Sequence, residues 1–275
     1  MQNSYATLAE YKDYVTARGQ TPNTDATDDT LVESLLESAS RYIDDETGRV
    51  FYPYIQTRYF DVPQDRELPL DEDLLEVITL TNGDSATMSA SEYHLVPKNI
   101  YPAYGLKITD ISSYMWQSNA QGSLENAVSV LAIWGYRQKY NVSGWKAGGT
   151  LGAAISTTSG TSATITAGHT LLTGQTWRIG NEILTGSASS DALTIERGFN
   201  GSTAATHDNG TTVYYWQPET GAKNAVLEIA NSAYHRRFGR STSDSVTVTA
   251  AGVVISPRDV PAQARAFIYS HRSII

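Results

Sequence analysis

The histidines are the side chains of this chain best suited to bind a metal ion or to transfer a proton near neutral pH. No two of them have the His-x-x-x-His spacing by which one helix face presents two zinc ligands. His207 precedes Asp208, and a solvated turn is the favoured interpretation of this pair over a metal site. The sequence therefore predicts neither a metal ion nor a cofactor. The five histidines are His94, His169, His207, His235 and His271.

Two further segments could bind a charged ligand. Asp71, Glu72, Asp73 and Glu76 supply the carboxylates that Ca²⁺ prefers, but their spacing does not match a calcium-binding loop. We interpret them as a solvated acidic bend that leads into a strand. The glycine-rich residues 148–152 lack the lysine of a phosphate-binding loop, so phosphate binding is not predicted there.

Nucleophilic catalysis has no recognisable basis in this sequence. The 275 residues include no cysteine, which excludes a thiol nucleophile, and no Gly-x-Ser-x-Gly elbow is present. A hydrolase with two dispersed carboxylates is the least favoured alternative, since no pair of Asp or Glu stands out. We predict a protein that is not an enzyme and has no catalytic residues.

Charge is distributed unevenly over a chain whose net charge is −9. Residues 1–140 are strongly acidic, whereas residues 218–275 hold more basic than acidic side chains. An acidic body disfavours tight nonspecific binding of DNA, because phosphate contacts need Lys and Arg. The basic part either is ordinary helix-end and surface charge or docks on an acidic partner. Its arginines are Arg236, Arg237, Arg240, Arg258, Arg265 and Arg272.

The strongest helix signal includes a start, an end and one buried face. Thr30 with Glu33 predicts a capping box, and Gly48 stands where a left-handed C-terminal cap belongs. Between them, apolar residues recur at helical spacing and predict a helix over residues 30–47. A similar capping box predicts a shorter helix over residues 7–18.

The apolar stripe of this helix has its predicted partner in a helix that starts near residue 218 and ends in basic residues before Gly239. Both stripes mix small and large side chains, which suits close helix packing. A hairpin over residues 246–254 and a last helix over residues 261–271 complete the chain. The predicted packing core consists of Leu31, Leu35, Ala39, Ile43, Val226, Ile229 and Ala233.

Strand patterns occupy the middle of the chain. Residues 144–217 carry little charge and much Gly, Ser and Thr, yet β-branched and aromatic runs predict a compact all-β module rather than a flexible linker. Period-two alternation before this module predicts a small sheet with strands at 56–62, 74–81, 93–96, 106–108 and 127–134. Inside the module, strands are predicted at 163–166, 176–179, 182–185, 193–196 and 211–216.

The order of these elements resembles that of the head–tail connector (adaptor) proteins of long-tailed bacteriophages. The resemblance covers roughly residues 28–140 and 218–275. It rests on the helix that ends in Glu46-Thr47-Gly48-Arg49-Val50-Phe51, the strand Thr57-Arg58-Tyr59-Phe60, the strand that ends in Ile133-Trp134-Gly135-Tyr136, the helix from Ala222 to Arg237 and the closing segment from Pro261 to Arg272. Residues 144–217 depart from the family, although residues 196–207 resemble small β modules of phage structural proteins.

The pattern of elements, together with this resemblance, implies the fold and the domain boundaries. We expect an α+β fold in which a helical connector domain with a small antiparallel sheet is interrupted by an inserted all-β module. The connector domain would comprise residues 1–143 and 218–275, and the inserted module residues 144–217.

The resemblance also implies a function. A homo-oligomeric ring, commonly of about twelve copies, would dock below the portal protein and contact a tail, stopper or completion protein, with the major capsid protein as a further possible partner. DNA would pass through the ring without sequence-specific binding. The basic end would dock on the portal, with Arg240, Arg258, Arg265 and Arg272 as candidate residues.

An alternative is a structural binding module that recognises a capsid surface or a glycan through residues 144–217.

The first residues lack the basic and apolar regions of a signal peptide, and no run of about 18 apolar residues predicts a membrane span. These absences predict a protein assembled in the host cytoplasm, and the resemblance implies a virion protein of the neck, at the head–tail interface.

Overall fold

The structure is a computed structural model that describes residues 2–22, 25–138, 144–238, 248–249, 252–253 and 260–273. The chain forms two compact units. Unit 1 comprises Met1–Tyr52, Gly144–Phe199 and Thr203–Ile274, and unit 2 comprises Pro53–Ser143 with residues 200–202 and 275. The domain boundaries expected from the sequence, 1–143 with 218–275 and 144–217, stay a prediction.

The first helix of unit 1, α1, spans Leu8–Ala17 and begins as predicted. The Thr7 hydroxyl accepts a hydrogen bond from the Glu10 amide at 3.2 Å, and the Glu10 carboxylate accepts one from the Thr7 amide at 2.9 Å. The amides of Thr7 and Glu10, two of the four N–H groups without a partner inside the helix, are thereby satisfied, which confirms the capping box.

The second helix, α2, spans Ala26–Thr47 and starts one turn earlier than predicted. Asp25 is the N-cap and accepts a hydrogen bond from the Thr27 amide at 2.9 Å. Asp caps a helix at least as well as Thr, so the capping box predicted at Thr30 is wrong. Thr30 instead donates its hydroxyl to the Ala26 carbonyl at 3.1 Å, inside the helix. The predicted left-handed cap at Gly48 is confirmed, with φ of 65°.

The remaining described helices of unit 1 are α3, Thr220–Phe238, and α4, Ala262–Ser270. α2 and α3 pack together, and α4 packs against both. Of the predicted hairpin, two short antiparallel strands, Val248–Thr249 and Gly252–Val253, lie within the described residues.

Unit 2 contains a six-stranded antiparallel sheet. Its strands are β1 (Tyr54–Phe60), β2 (Glu67–Thr81), β3 (Thr87–Met88), β4 (Tyr93–Val96), β5 (Ala103–Ile108) and β6 (Val128–Trp134). The order is β1-β6-β2-β5-β4, with β3 paired to β2. Trp134 is fully buried in the core of this unit, and its indole donates to the Gln56 carbonyl at 2.8 Å.

Unit 1 contains a second six-stranded antiparallel sheet. Its strands are β7 (Trp145–Thr150), β8 (Ser162–Thr164), β9 (Trp177–Ile179), β10 (Glu182–Ser189), β11 (Ala192–Glu196) and β12 (Thr212–Trp216). The order is β7-β12-β9-β10-β11-β8. The chain enters and leaves this sheet side by side, since the Gln217 amide donates to the Gly144 carbonyl at 2.7 Å.

The expected fold class, a helical connector domain with a small sheet and an inserted all-β module, is wrong. The described residues form two six-stranded antiparallel sheets and four helices, so the protein is rich in β structure. Two strands account for much of the difference. β2 runs 15 residues, through the acidic segment interpreted as a bend, and β7 occupies a glycine-rich segment for which no strand was predicted.

Candidate assembly surface

The connection between β5 and β6 in unit 2, residues 109–127, presents large apolar side chains to solvent. Ile111 is 96% exposed, Leu124 is 55% exposed and Met115 is 48% exposed. We call these three residues the apolar loop surface. Single exposed apolar residues are ordinary on protein surfaces, so the significance of three on one connection depends on how firmly that connection is held.

Asn82, in the turn after β2, holds the middle of the connection. Its side-chain amide donates to the Met115 carbonyl at 2.8 Å, and its side-chain oxygen accepts from the Gln117 amide at 3.0 Å. The neighbouring Gly83 is required by this contact, since a Cβ there would lie 1.9 Å from the Gln117 carbonyl oxygen. The turn and the connection therefore form one packed structure.

Two more contacts bind the connection to the start of β2. The indole of the buried Trp116 donates to the Arg66 carbonyl at 3.1 Å, and the Arg66 guanidinium donates to the Thr109 carbonyl at 2.6 Å. The Ser112 hydroxyl donates to the Glu92 carboxylate. Since these side chains span the connection from Thr109 to Trp116, Ile111 and Met115 project from an anchored backbone.

The last part of the connection is held by the chain after β1. The Val62 amide donates to the Leu124 carbonyl at 2.9 Å, and the Asn126 amide donates to the Asp61 carboxylate at 2.8 Å. The backbone at Leu124 is thus anchored while its side chain stays more than half exposed. Three exposed apolar side chains on one anchored connection are a candidate surface for a partner to cover.

The docking arginines predicted from the resemblance fall into two groups. Arg240 and Arg258 lie outside the described residues. Arg265 and Arg272 are exposed, on α4 and directly after it. The Arg272 guanidinium pairs with the Glu46 carboxylate at 2.8 Å, so it is bound to the end of α2 within the same chain. Their proposed role on a portal stays a prediction.

The predicted helix-packing residues lie on α2 and α3, which contact each other. Leu31 is only partly buried, one residue from the buried Val32. The other predicted residues are buried: Leu35, Ala39, Ile43, Val226, Ile229 and Ala233.

A buried carboxylate organises the second sheet. Glu182 on β10 has a fully buried side chain that accepts hydrogen bonds from Arg197, from the His207 ring at 2.7 Å and from the Ala205 amide at 3.0 Å. Burial alone would raise the pKa of Glu182, but the bonds from Arg197, the Ala205 amide and His207 lower it to about 2. His207 thus has a structural partner instead of the solvated turn expected from the sequence.

A second carboxylate, largely but not fully buried, lies near the C-terminal end of α2. The Tyr5 hydroxyl donates to Asp44 and accepts from the Phe51 amide at 2.8 Å. The Arg41 guanidinium pairs with Asp44 at 3.0 Å. Burial raises the pKa of Asp44 to about 7, although Arg41 opposes this shift. Both buried carboxylates therefore bond to neighbouring protein groups.

Over the described ranges, no three His, Asp or Glu side chains are grouped closely enough to hold a metal ion. Within the same ranges, no helix has the length and apolarity needed to cross a membrane.

Two comparisons of this sequence with known proteins identify no relative. A scan against protein-family models finds no match to this chain, and a search of curated proteins finds no similar sequence. The resemblance to phage connector proteins accordingly rests on the motifs and their order.

The apolar loop surface was not predicted from the sequence. Ile111 is a lone apolar residue among polar neighbours, and Met115 lies between the aromatic residues Tyr114 and Trp116, without a period-two or helical pattern. Asn82-Gly83 is a local turn signal, but its bonds to residues more than 30 positions away carry no local signature.

Proposed function

We propose that this chain is a non-enzymatic structural protein of a bacteriophage particle. In this proposal it is an adaptor that assembles into a ring below the portal protein and joins the portal to the tail or to the next connector ring. DNA passes through the ring.

The observation that carries the proposal is the apolar loop surface, Ile111, Met115 and Leu124. Exposed apolar area is unfavourable in water by about 25 cal/mol per Å², so an anchored backbone that exposes three such side chains favours a partner that covers them. Such a surface suits a protein that is packed between other proteins.

The charge distribution also supports this role. Residues 1–140 are strongly acidic, and an acidic wall lets DNA slide because it offers the phosphates few cations. The order of motifs shared with connector proteins points to the same place in a phage particle.

The test is binding to the cognate portal protein. The triple variant Ile111→Ser, Met115→Ser, Leu124→Ser is compared with wild type and with Ile100→Ser, which changes an equally apolar residue that is 59% exposed elsewhere in unit 2. Size-exclusion chromatography and cryo-EM of the mixture would reveal adaptor density on the portal.

We expect wild type and Ile100→Ser to bind, and the triple variant to keep its melting temperature but to bind at least about tenfold more weakly. A wild-type chain that stays monomeric and never associates with the portal or with particles would overturn the proposal. Binding by the triple variant equal to that of wild type would remove the apolar loop surface as its basis.

A further inference from the structure

Unit 1 has a cavity of about 210 Å³ where its helices meet the second sheet. We call it the polar cavity. Its helical wall includes Glu10 of α1 and Lys223 of α3, and its sheet wall includes Gln175 and Thr176, directly before β9, and Tyr215 of β12. Pockets that hold drug-sized ligands measure about 300–1,000 Å³. The polar cavity therefore suits a single small ring rather than an extended ligand.

The helical wall is a charge pair that is held in place. The Lys223 ammonium donates to the Glu10 carboxylate at 3.0 Å, and the other carboxylate oxygen accepts from the Thr7 amide at 2.9 Å. An ammonium group has three donors, and over the described residues only one donor of Lys223 bonds to a protein group. Both charged side chains are partly exposed, so a ligand reaches them from solvent. Because the two charges offset each other, this wall suits a neutral polar ligand.

The sheet wall supplies uncharged hydrogen-bonding groups. The Gln175 side-chain oxygen accepts from the Leu172 amide at 2.9 Å, which orients the side chain and leaves its NH₂ group as a donor. The Thr176 carbonyl accepts from the Trp216 amide at 2.7 Å, so the backbone is fixed there as well. Thr176 is only 8% exposed, and its hydroxyl bonds to no group within the described ranges. A buried hydroxyl without a protein partner is unfavourable, so it favours a ligand that bonds to it.

Two partly exposed tyrosines, Tyr52 and Tyr215, complete this lining. The Arg41 guanidinium lies 4.8 Å from the centroid of the Tyr52 ring, and Tyr215 packs against the buried core of the second sheet. Both rings are thereby held in position. Aromatic rings beside several hydrogen-bonding groups suit a ligand that presents both C–H and O–H groups, and a sugar ring presents both.

We propose that the polar cavity binds one sugar unit, either a free monosaccharide or the end of a glycan chain. A sugar hydroxyl both donates and accepts hydrogen bonds, which matches the donors of Gln175 and Lys223 and the acceptor of Glu10. An anionic ligand would be repelled by Glu10, and a cationic one by Lys223. The proposal goes beyond the adaptor role and does not depend on it, so either can fail while the other stands.

The test is binding of sugars to the purified full-length chain. One probe is a panel of free monosaccharides, namely glucose, galactose, mannose, rhamnose and N-acetylglucosamine, and the other is an array of bacterial polysaccharide fragments. In ¹⁵N-resolved NMR spectra, we expect at least one of these sugars to shift the side-chain NH₂ signals of Gln175 and the amide signal of Thr176, with unchanged signals in β1–β6. Binding of a free monosaccharide would show that one ring is sufficient. Binding of arrayed fragments alone would show that the cavity takes the end of a longer chain.

Two substitutions remove donors from the cavity with little change in shape. Gln175→Glu keeps the acceptor for the Leu172 amide but removes the NH₂ group, and Thr176→Val removes the hydroxyl. The matched controls are Gln64→Glu, after β1, and Thr194→Val, on β11, both at exposed positions.

We expect each cavity variant to bind the sugar at least about fivefold more weakly, and both controls to bind as wild type does. The shifts in the wild-type spectra locate the sugar even where a variant does not fold. Absence of binding to every probe, or shifts confined to residues outside the cavity, would overturn the proposal. Binding by both cavity variants equal to that of wild type would overturn it as well.

Discussion

Glu182 and Arg197 form a bidentate ion pair inside the second sheet, with Nε to Oε1 at 2.6 Å and Nη2 to Oε2 at 2.8 Å. The Glu182 side chain is completely buried and that of Arg197 is 7% exposed. Arg197 also donates to the Thr157 carbonyl at 3.0 Å, so the pair connects β10 to two separate loops. Because Glu182 also binds Ala205 and His207, this charge pair holds the chain near Arg197 in place. Its role is structural.

Replacing Glu182 should destabilise unit 1. Glu182→Gln leaves the Arg197 guanidinium buried without its counter-charge, and breaking a buried pair from one side costs about 3–5 kcal/mol. We expect a decrease of about that size in the free energy of unfolding, measured by guanidinium titration. The control Glu196→Gln changes an exposed carboxylate on β11 and should alter stability by less than about 0.5 kcal/mol. Equal effects of the two substitutions would contradict a structural role for the pair.

The same carboxylate predicts a loss of stability in acid. The pKa of Glu182 is lowered by its hydrogen bonds to about 2, against about 4.3 in an unfolded chain. Its contribution is therefore complete above pH 4.3 and disappears as the pH falls through 2. The stability difference between wild type and Glu182→Gln should shrink by about 3 kcal/mol between pH 5 and pH 2. Urea titrations at four pH values would measure it, and a pH-independent difference would contradict the assignment.

Asp44 predicts the opposite dependence at higher pH. Burial raises its pKa to about 7, so the folded protein holds a proton that the unfolded chain releases near pH 3.9. Stability should therefore fall as the pH rises from 4 to 7, by at most about 4 kcal/mol, and level off above 7. Asp44→Asn keeps an acceptor for Tyr5 and should remove this slope, whereas the exposed neighbour Asp45→Asn should retain it. Denaturant titrations from pH 4 to 8 decide between these outcomes.

Local signals explain what the sequence predicted correctly. The capping box of α1 and the left-handed Gly48 are decided by residues within four positions of each other, and both are confirmed. The start of α2 was misplaced because two residues, Asp25 and Thr30, are both able to cap, and local pattern alone does not rank them.

The missed strands had weaker local signals. Leu68 and Leu70 are buried and alternate with exposed neighbours, but Pro69 and the following acids are unfavourable in strands. In β7 the glycines leave room for side chains that are distant in the sequence. A Cβ at Gly148 would lie 2.2 Å from the Leu171 side chain, and one at Gly149 would lie 3.0 Å from Ile165. Such close approaches become visible only in the folded chain.

The candidate surfaces were hidden for a related reason. The backbone at Met115 is held by Asn82, which lies 33 positions earlier in the chain, and such a contact leaves no local pattern in the sequence. The basic C-terminal residues could be recognised from the sequence, because a charge excess is visible in composition.

The packing of α4 against α3 gives a last prediction. Gly221 lies under the Phe267 ring, and a Cβ there would approach two ring carbons to 2.6 Å. Phe267 also stacks on His271, with ring centroids 4.1 Å apart. Although alanine favours a helix over glycine by about 1 kcal/mol, Gly221→Ala should displace Phe267 and loosen α4. We expect faster hydrogen exchange at 262–270 with unchanged exchange in β1–β6.

The substitution Asn224→Ala, at an exposed position, is the control on the same helix. Phe267→Ala in the Gly221→Ala background should relieve the clash without restoring the packing of α4 on α3. Unchanged protection of 262–270 in Gly221→Ala would show that α4 is held by its C-terminal bonds to Glu46 and Thr47 rather than by this contact.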